Sequence, residues 1–195
     1  MWDEEYSVEE YVYGKKPNEF LLEMSEKLTK GSVLCLAEGE GRNAVHLARQ
    51  GFAATAVDLS KVGLAKAEKL AQEFGVTIQT VTADLDDYVI EKGVWDSIIS
   101  ISCHVHQDLR RRLHRDVVAG LKEGGTFLLE AYTPKQLELQ TGGPPSAEYL
   151  MELAALREEL DGLEFIHGQE LVRDVVEGIN HTGKGSVVQV LARKT

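Results

Sequence analysis

Apolar residues recur along this chain in two alternating rhythms. Short continuous runs at 33–37, 52–57, 76–82, 95–102 and 126–132 read as strands buried on both faces. Between them, apolar positions three and four apart mark helices. One spans 42–50, turns Ala44, Val45, Leu47 and Ala48 inward and stops at Gly51. A second starts after Ser60, a suitable N-cap, and repeats Leu64, Ala67, Leu70, Ala71 and Phe74 before Gly75. A third spans 108–121, with Leu109, Leu113 and Val117 as its apolar face. Strand–helix alternation of this kind predicts a parallel sheet covered on both faces.

The end of the chain breaks the alternation. After a helix over 147–160, the segments 163–176 and 186–192 read as strands with no helix between them. The connection 177–185 carries Gly178, Gly183 and Gly185, which suits a hairpin, so the sheet should close on an antiparallel pair. The expected architecture is a doubly wound, mostly parallel seven-stranded α/β sheet with a C-terminal hairpin. Gly142-Gly143-Pro144-Pro145 lies between the fifth strand and the helix after it, and serves equally as a rigid connection or as a lid.

Composition narrows the function. Asp plus Glu outnumber Lys plus Arg by 32 to 21, a net charge of −11, whereas nucleic-acid binders need cationic surface. Arg110, Arg111, Arg112 and Arg115 are expected on the solvated face of their helix. Cys35 and Cys103 sit in apolar stretches without metal-ligand spacing, so reduced thiols in a cytoplasmic protein are expected. No signal peptide is expected at Met1-Trp2-Asp3-Glu4-Glu5, and no run reaches membrane-spanning length.

The chemistry concentrates where the first strand ends. Val33-Leu34-Cys35-Leu36-Ala37-Glu38-Gly39-Glu40-Gly41-Arg42-Asn43-Ala44 is strand, small-residue turn, then helix. Such a turn brings a ligand close to the backbone and to free helix N–H groups. Gly39 to Ala44 also fits the G-x-G-x-x-A pattern of dinucleotide-binding folds. Asp58 ends the second strand, where a carboxylate accepts ribose hydroxyls; Asp84 follows the third, within reach of an adenine amino group. Past the fourth strand come Ser102, Cys103, His104 and His106. His104 and His106 are the candidate catalytic residues, with the role of His104, base or hydrogen-bonding wall, left open. They lack matching third and fourth ligands, so no metal is expected. His46, His114 and His167 fit structural or exposed positions, while His181 in the hairpin connection is a substrate-side candidate.

On these residues the chain resembles the class I S-adenosylmethionine-dependent methyltransferases, and within them the small bacterial group similar to tellurite-resistance and thiopurine-type enzymes. The likeness is carried by Tyr11-Val12-Tyr13-Gly14 with Pro17, Asn18 and Phe20, by the turn, by Ala56-Val57-Asp58-Leu59-Ser60 and by Ile101-Ser102-Cys103-His104. It continues in Leu121-Lys122-Glu123-Gly124-Gly125 and Leu129-Glu130-Ala131-Tyr132-Thr133-Pro134. Cys35 and Ala37 stand where the group has an acid and a first glycine, and Glu123 replaces its proline.

The resemblance implies S-adenosylmethionine as cofactor. Ala37, Gly39 and Gly41 would flank its methionine part, Asp58 its ribose, and Asp84 with Leu85 its adenine, with Glu38, Arg42, Asn43, Leu59, Ser60 and Ser102 as further cofactor-binding residues. Tyr11, Tyr13 and Tyr132 would form an aromatic wall on the substrate side with Cys103 and His181. One methyltransferase domain over 1–195 is implied, with 1–30 as an N-terminal cap over the site. The implied acceptor is a small molecule or small oxyanion, with neither nucleic acid nor membrane as partner and a monomer or homodimer as the assembly. A nicotinamide-dependent oxidoreductase is the alternative, although the chain leaves little room for a substrate domain and offers no convincing hydride-transfer acid. A regulatory module that binds the cofactor without catalysis is the third possibility.

Overall fold

The computed structural model describes residues 1–178 and 182–195 in full and the main chain of 181. Seven strands, β1 (Ser32–Leu36), β2 (Ala53–Asp58), β3 (Gln79–Thr82), β4 (Trp95–Ile101), β5 (Leu121–Tyr132), β6 (Leu163–Glu177) and β7 (His181–Lys194), form one sheet in the order β3-β2-β1-β4-β5-β7-β6. The first five are parallel, and β7 runs antiparallel to both β5 and β6. The order reverses between β1 and β4, which opens a crevice at the strands' C-terminal ends.

Alternation along each strand divides the core. Val33 and Cys35 face one layer, built from α2 (Glu19–Met24), α3 (Arg42–Arg49) and α4 (Lys61–Glu73). Leu34 and Leu36 face the other, with α5 (Gln107–Gly120) and α7 (Leu153–Glu159). The short helices α1 (Trp2–Glu5) and α6 (Gln136–Leu139) lie near the strands' C-terminal side. Ser60 caps α4 as expected, its Oγ accepting from the N–H of Gly63 at 3.0 Å. Among the described residues no helix is long and apolar enough to cross a membrane.

Three expectations are corrected. The helix over 147–160 is interrupted: after a short 3-10 turn at Ala147–Tyr149 the chain extends, the Met151 N–H donates to the Tyr132 carbonyl at 2.9 Å, and α7 begins only at Leu153. Burying Leu150 and Met151 and completing that bond outweigh helix propensity. The hairpin connection is shorter than 177–185, because Gly183 and Gly185 pair in the ladder with Val175 and Arg173. A Cβ on Gly185 would lie 2.8 Å from Val175 Cγ2 and 3.0 Å from Tyr132 Cε1, a packing reason for glycine within a strand. Arg110 is buried, not solvated. Its guanidinium grips Glu159 of α7 and donates to the Leu150 carbonyl. Hydrogen bonds from His114 and Arg110 outweigh burial at Glu159 and hold its carboxyl down at about 2.

Candidate functional site

A cavity of about 700 Å³ opens at the crevice where the strand order reverses. Ala37, Glu38, Glu40, Arg42 and Asn43 line it from the turn after β1. Asp58 and Leu59 line it from the end of β2, and Ala83, Asp84 and Leu85 from beyond β3. Ser102, Cys103, His104 and Val105 follow β4 into the same space, and Gly142, Gly143, Pro144, Pro145 and Tyr149 form a further wall.

Carboxylates hold the turn together. One Asp58 oxygen accepts from Gly39 N–H and the other from Ser60 N–H, each at 2.8 Å, so this acid braces two loops at once. Glu38 Oε1 accepts from the N–H groups of Asn43 and Ala44 at 2.9 and 2.8 Å, capping α3. Ala37 and Ser102 adopt φ of +48° and +54°, conformations that cost a residue with a Cβ on the order of 1–2 kcal/mol. Neither Gly39, Gly41 nor Ser60 lines the cavity. A Cβ on Gly39 would lie 2.6 Å from Tyr6 Oη, and one on Gly41 would lie 2.5 Å from Ala67 Cβ. The missing side chains thus admit the protein's own Tyr6 and α4, a closeness that sequence reasoning assigned to a ligand.

Burial raises the Glu38 carboxyl to about 7, against the lowering pull of the Ala44 and Asn43 N–H groups. An acid that stays protonated in the fold while the unfolded chain ionises favours folding at low pH. That contribution disappears as pH rises from about 4.5 to about 7. Glu38→Gln keeps an oxygen for both N–H groups and removes the titration. Its stability relative to wild type should therefore improve by on the order of 3 kcal/mol across that interval. Urea unfolding at a series of pH values measures this, and a constant difference would refute it.

The histidines separate. His104 lines the cavity, its ring stacked on Tyr132 at a centroid distance of 5.4 Å, and its Nε2 accepts from the Tyr132 N–H at 2.9 Å. With that lone pair engaged, a neutral His104 carries its proton on Nδ1 and has no free basic nitrogen. His106 lies off the cavity: it caps α5, with Nδ1 accepting from Asp108 N–H at 3.4 Å, and stands 3.8 Å from Glu148. The side chain of His181 lies outside the described residues.

The aromatic wall is also redrawn. Tyr13 lines the cavity, but Tyr11 donates from its hydroxyl to the Lys66 carbonyl at 3.0 Å, away from it, and Tyr132 stands behind His104. Tyr6 and Trp2, stacked at 5.8 Å, take the vacant places with Met1. No local pattern distinguishes Tyr6; its traces are Gly39 and Gly63, the latter a helix-interior glycine whose Cβ would lie 2.9 Å from the Tyr6 ring. Burial pushes the Cys103 thiol up to about 12, which keeps it protonated. Among the described residues no group of three or more His, Cys, Asp or Glu is arranged to hold a metal ion.

Residues 33–125, from β1 into β5, match the profile of a methyltransferase domain. A structure from work on the conversion of a disulfide bond into a thioacetal group during echinomycin biosynthesis superposes with a TM-score of 0.80 at 18% identity, over 99% of this chain and 90% of the other. TehB from Haemophilus influenzae gives 0.76 at 18% identity, over 100% of this chain and 66% of TehB. Magnesium protoporphyrin IX methyltransferase from Synechocystis, solved with bound S-adenosylhomocysteine, gives 0.67 at 17% identity, over 90% and 80%. The chain has the methyltransferase fold. No curated protein matches the sequence.

Proposed function

We propose that this protein is an S-adenosylmethionine-dependent methyltransferase acting on a small molecule or small oxyanion. The observation that carries the reading is the convergence of Asp58 and Asp84, from two successive strand ends, on the cavity that Glu38 and Arg42 also line. Each Asp58 oxygen spends one lone pair on a backbone N–H and keeps another for a ribose hydroxyl. Asp84 and Leu85 suit the adenine. Glu38, in its ionised form, complements an ammonium, and Arg42, which spends one Nη2 bond on Glu177 at 2.6 Å, has further donors for a carboxylate. A zwitterionic amino acid joined to adenosine fits that donor set. Residues 1–30 act as the cap, with Trp2, Tyr6 and Tyr13 excluding water from the sulfonium.

Bound S-adenosylmethionine supplies an electrophilic methyl with its own leaving group. What remains for the protein is alignment, worth roughly 7–11 kcal/mol when both partners are held in place. His104, with Nε2 engaged, serves as wall rather than base, which favours an acceptor that arrives already deprotonated, such as a thiolate or an oxyanion. Two buried free thiols suit the reducing cytoplasm.

Calorimetry tests the reading. S-adenosylhomocysteine should bind and NAD should not, and labelled methyl should reach at least one acceptor among thiols, amines, tellurite and selenite. Binding of NAD alone would favour the oxidoreductase. Tight S-adenosylhomocysteine binding without any methylated product would favour a regulatory module.

A further inference from the structure

The N-terminal segment wraps around one cation of α4. The Lys66 ammonium lies 2.6 Å from the Glu10 carbonyl oxygen, 2.9 Å from that of Val8, 3.3 Å from that of Tyr6 and 2.5 Å from Glu40 Oε1. Four oxygens thus surround three N–H donors. The other Glu40 oxygen accepts from the Tyr13 N–H at 3.3 Å, so one ion pair ties both ends of 6–13 to the glycine turn. Lys66 is only 14% exposed and its partner 2%, so water screens the pair weakly. The Tyr11 ring lies 5.1 Å from the same ammonium, and its hydroxyl returns to the Lys66 carbonyl.

Lys66 does not line the cavity, whereas Tyr6 and Tyr13, at the two ends of the strapped segment, do. Tyr6 is seated over Gly39 and Gly63, a contact that holds only while the segment stays down. We propose that Lys66 is a positioning residue that latches residues 6–13 over the cofactor pocket, and that bound S-adenosylhomocysteine leaves only after its contacts break. This rests on the cofactor reading above.

Two measurements on the full chain test the latch: hydrogen exchange of the amides of 6–13, and the rate at which S-adenosylhomocysteine dissociates in a stopped-flow competition. In Lys66→Met, exchange of that segment should accelerate selectively and dissociation should become roughly tenfold to a hundredfold faster. Lys66→Arg, which keeps the charge, should restore both in part. Wild-type exchange and dissociation in Lys66→Met overturn the proposal. If wild-type protein does not bind S-adenosylhomocysteine, the cofactor reading fails on its own, and the exchange comparison alone then decides the latch. If Lys66→Met does not fold, Glu40→Gln, which neutralises the partner while keeping an acceptor for Tyr13, decides it by exchange of 6–13 alone, since Glu40 itself lines the cavity: faster exchange there supports the latch and wild-type exchange overturns it.

Discussion

Asp58→Ala is expected to lose cofactor affinity and folding stability together. Asp58 is 7% exposed, and burial raises its pKa while the N–H groups of Ser60 and Gly39 pull it down. Removing the carboxylate strips two short hydrogen bonds from the N–H groups of Gly39 and Ser60. Each orphaned donor costs about 1–3 kcal/mol, so for the two a loss of about 2–6 kcal/mol in unfolding free energy is expected. S-adenosylhomocysteine should bind about 1.5–3 kcal/mol more weakly through the lost ribose bonds alone. Displacement of the turn at Gly39 adds to that loss. Asp84→Ala is the control: Asp84 is exposed and, among the described residues, its side chain braces only the Asp86 N–H, so affinity should fall with stability nearly unchanged. Calorimetry and urea unfolding on both variants decide it. A destabilised Asp58→Ala protein with wild-type affinity would leave Asp58 a brace and nothing more.

The second large effect lies behind the site. Glu177, near the end of β6, accepts from Arg42 Nη2 at 2.6 Å, Asn18 Nδ2 at 2.8 Å and Arg173 Nη2 at 3.2 Å. Glu130 shares Asn18 and Arg173, and Gln189 donates to it at 2.6 Å, so strands β5, β6 and β7 are joined to α3 through one buried network. Glu177→Ala leaves Arg42 with a buried uncompensated charge while Arg173 keeps Glu130. Breaking a buried pair from one side costs about 3–5 kcal/mol, and urea unfolding at neutral pH should show it. A loss no larger than that of an exposed ion pair, about 1 kcal/mol or less, would refute the role. Burial alone would raise the Glu177 carboxyl, but the Arg42 charge and the other donors hold it below its usual value. Its contribution is therefore present above about pH 4.5, where the unfolded carboxyl is ionised, and is lost as pH falls below that. Because Arg42 also faces the cavity, the same variant should weaken S-adenosylhomocysteine binding, which links the closing hairpin to the site.

Fold and site were not equally legible. Strands such as Val33 to Leu36 and helices such as α4 announce themselves because the period of burial is written in neighbouring residues. A strand needs every second position on each core layer, and α4 needs Leu64, Ala67, Leu70 and Ala71 on one face. The turn, Asp58, Asp84 and Ser102 were legible for a related reason: strand ends at a reversal of strand order must meet, whatever their side chains do. The amino-acid sequence by itself thus determined the layers, the closing hairpin and the strand-end residues that meet at the crevice.

Tertiary structure decided the rest, because it depended on partners far away in the chain. Arg110 looked like solvated charge until α7 brought Glu159 against it. His104 could be placed at the site from the sequence, but the bond that its Nε2 accepts from the Tyr132 N–H became visible only once β5 lay beside it. Gly39 looked open to a ligand until Tyr6 settled over it, and the three carbonyl groups that hold Lys66 come from a segment more than fifty residues away. Local periodicity records whether a residue is buried, since burial repeats with the element. It does not record which distant polar group satisfies a buried charge, since that choice is made only when the layers close.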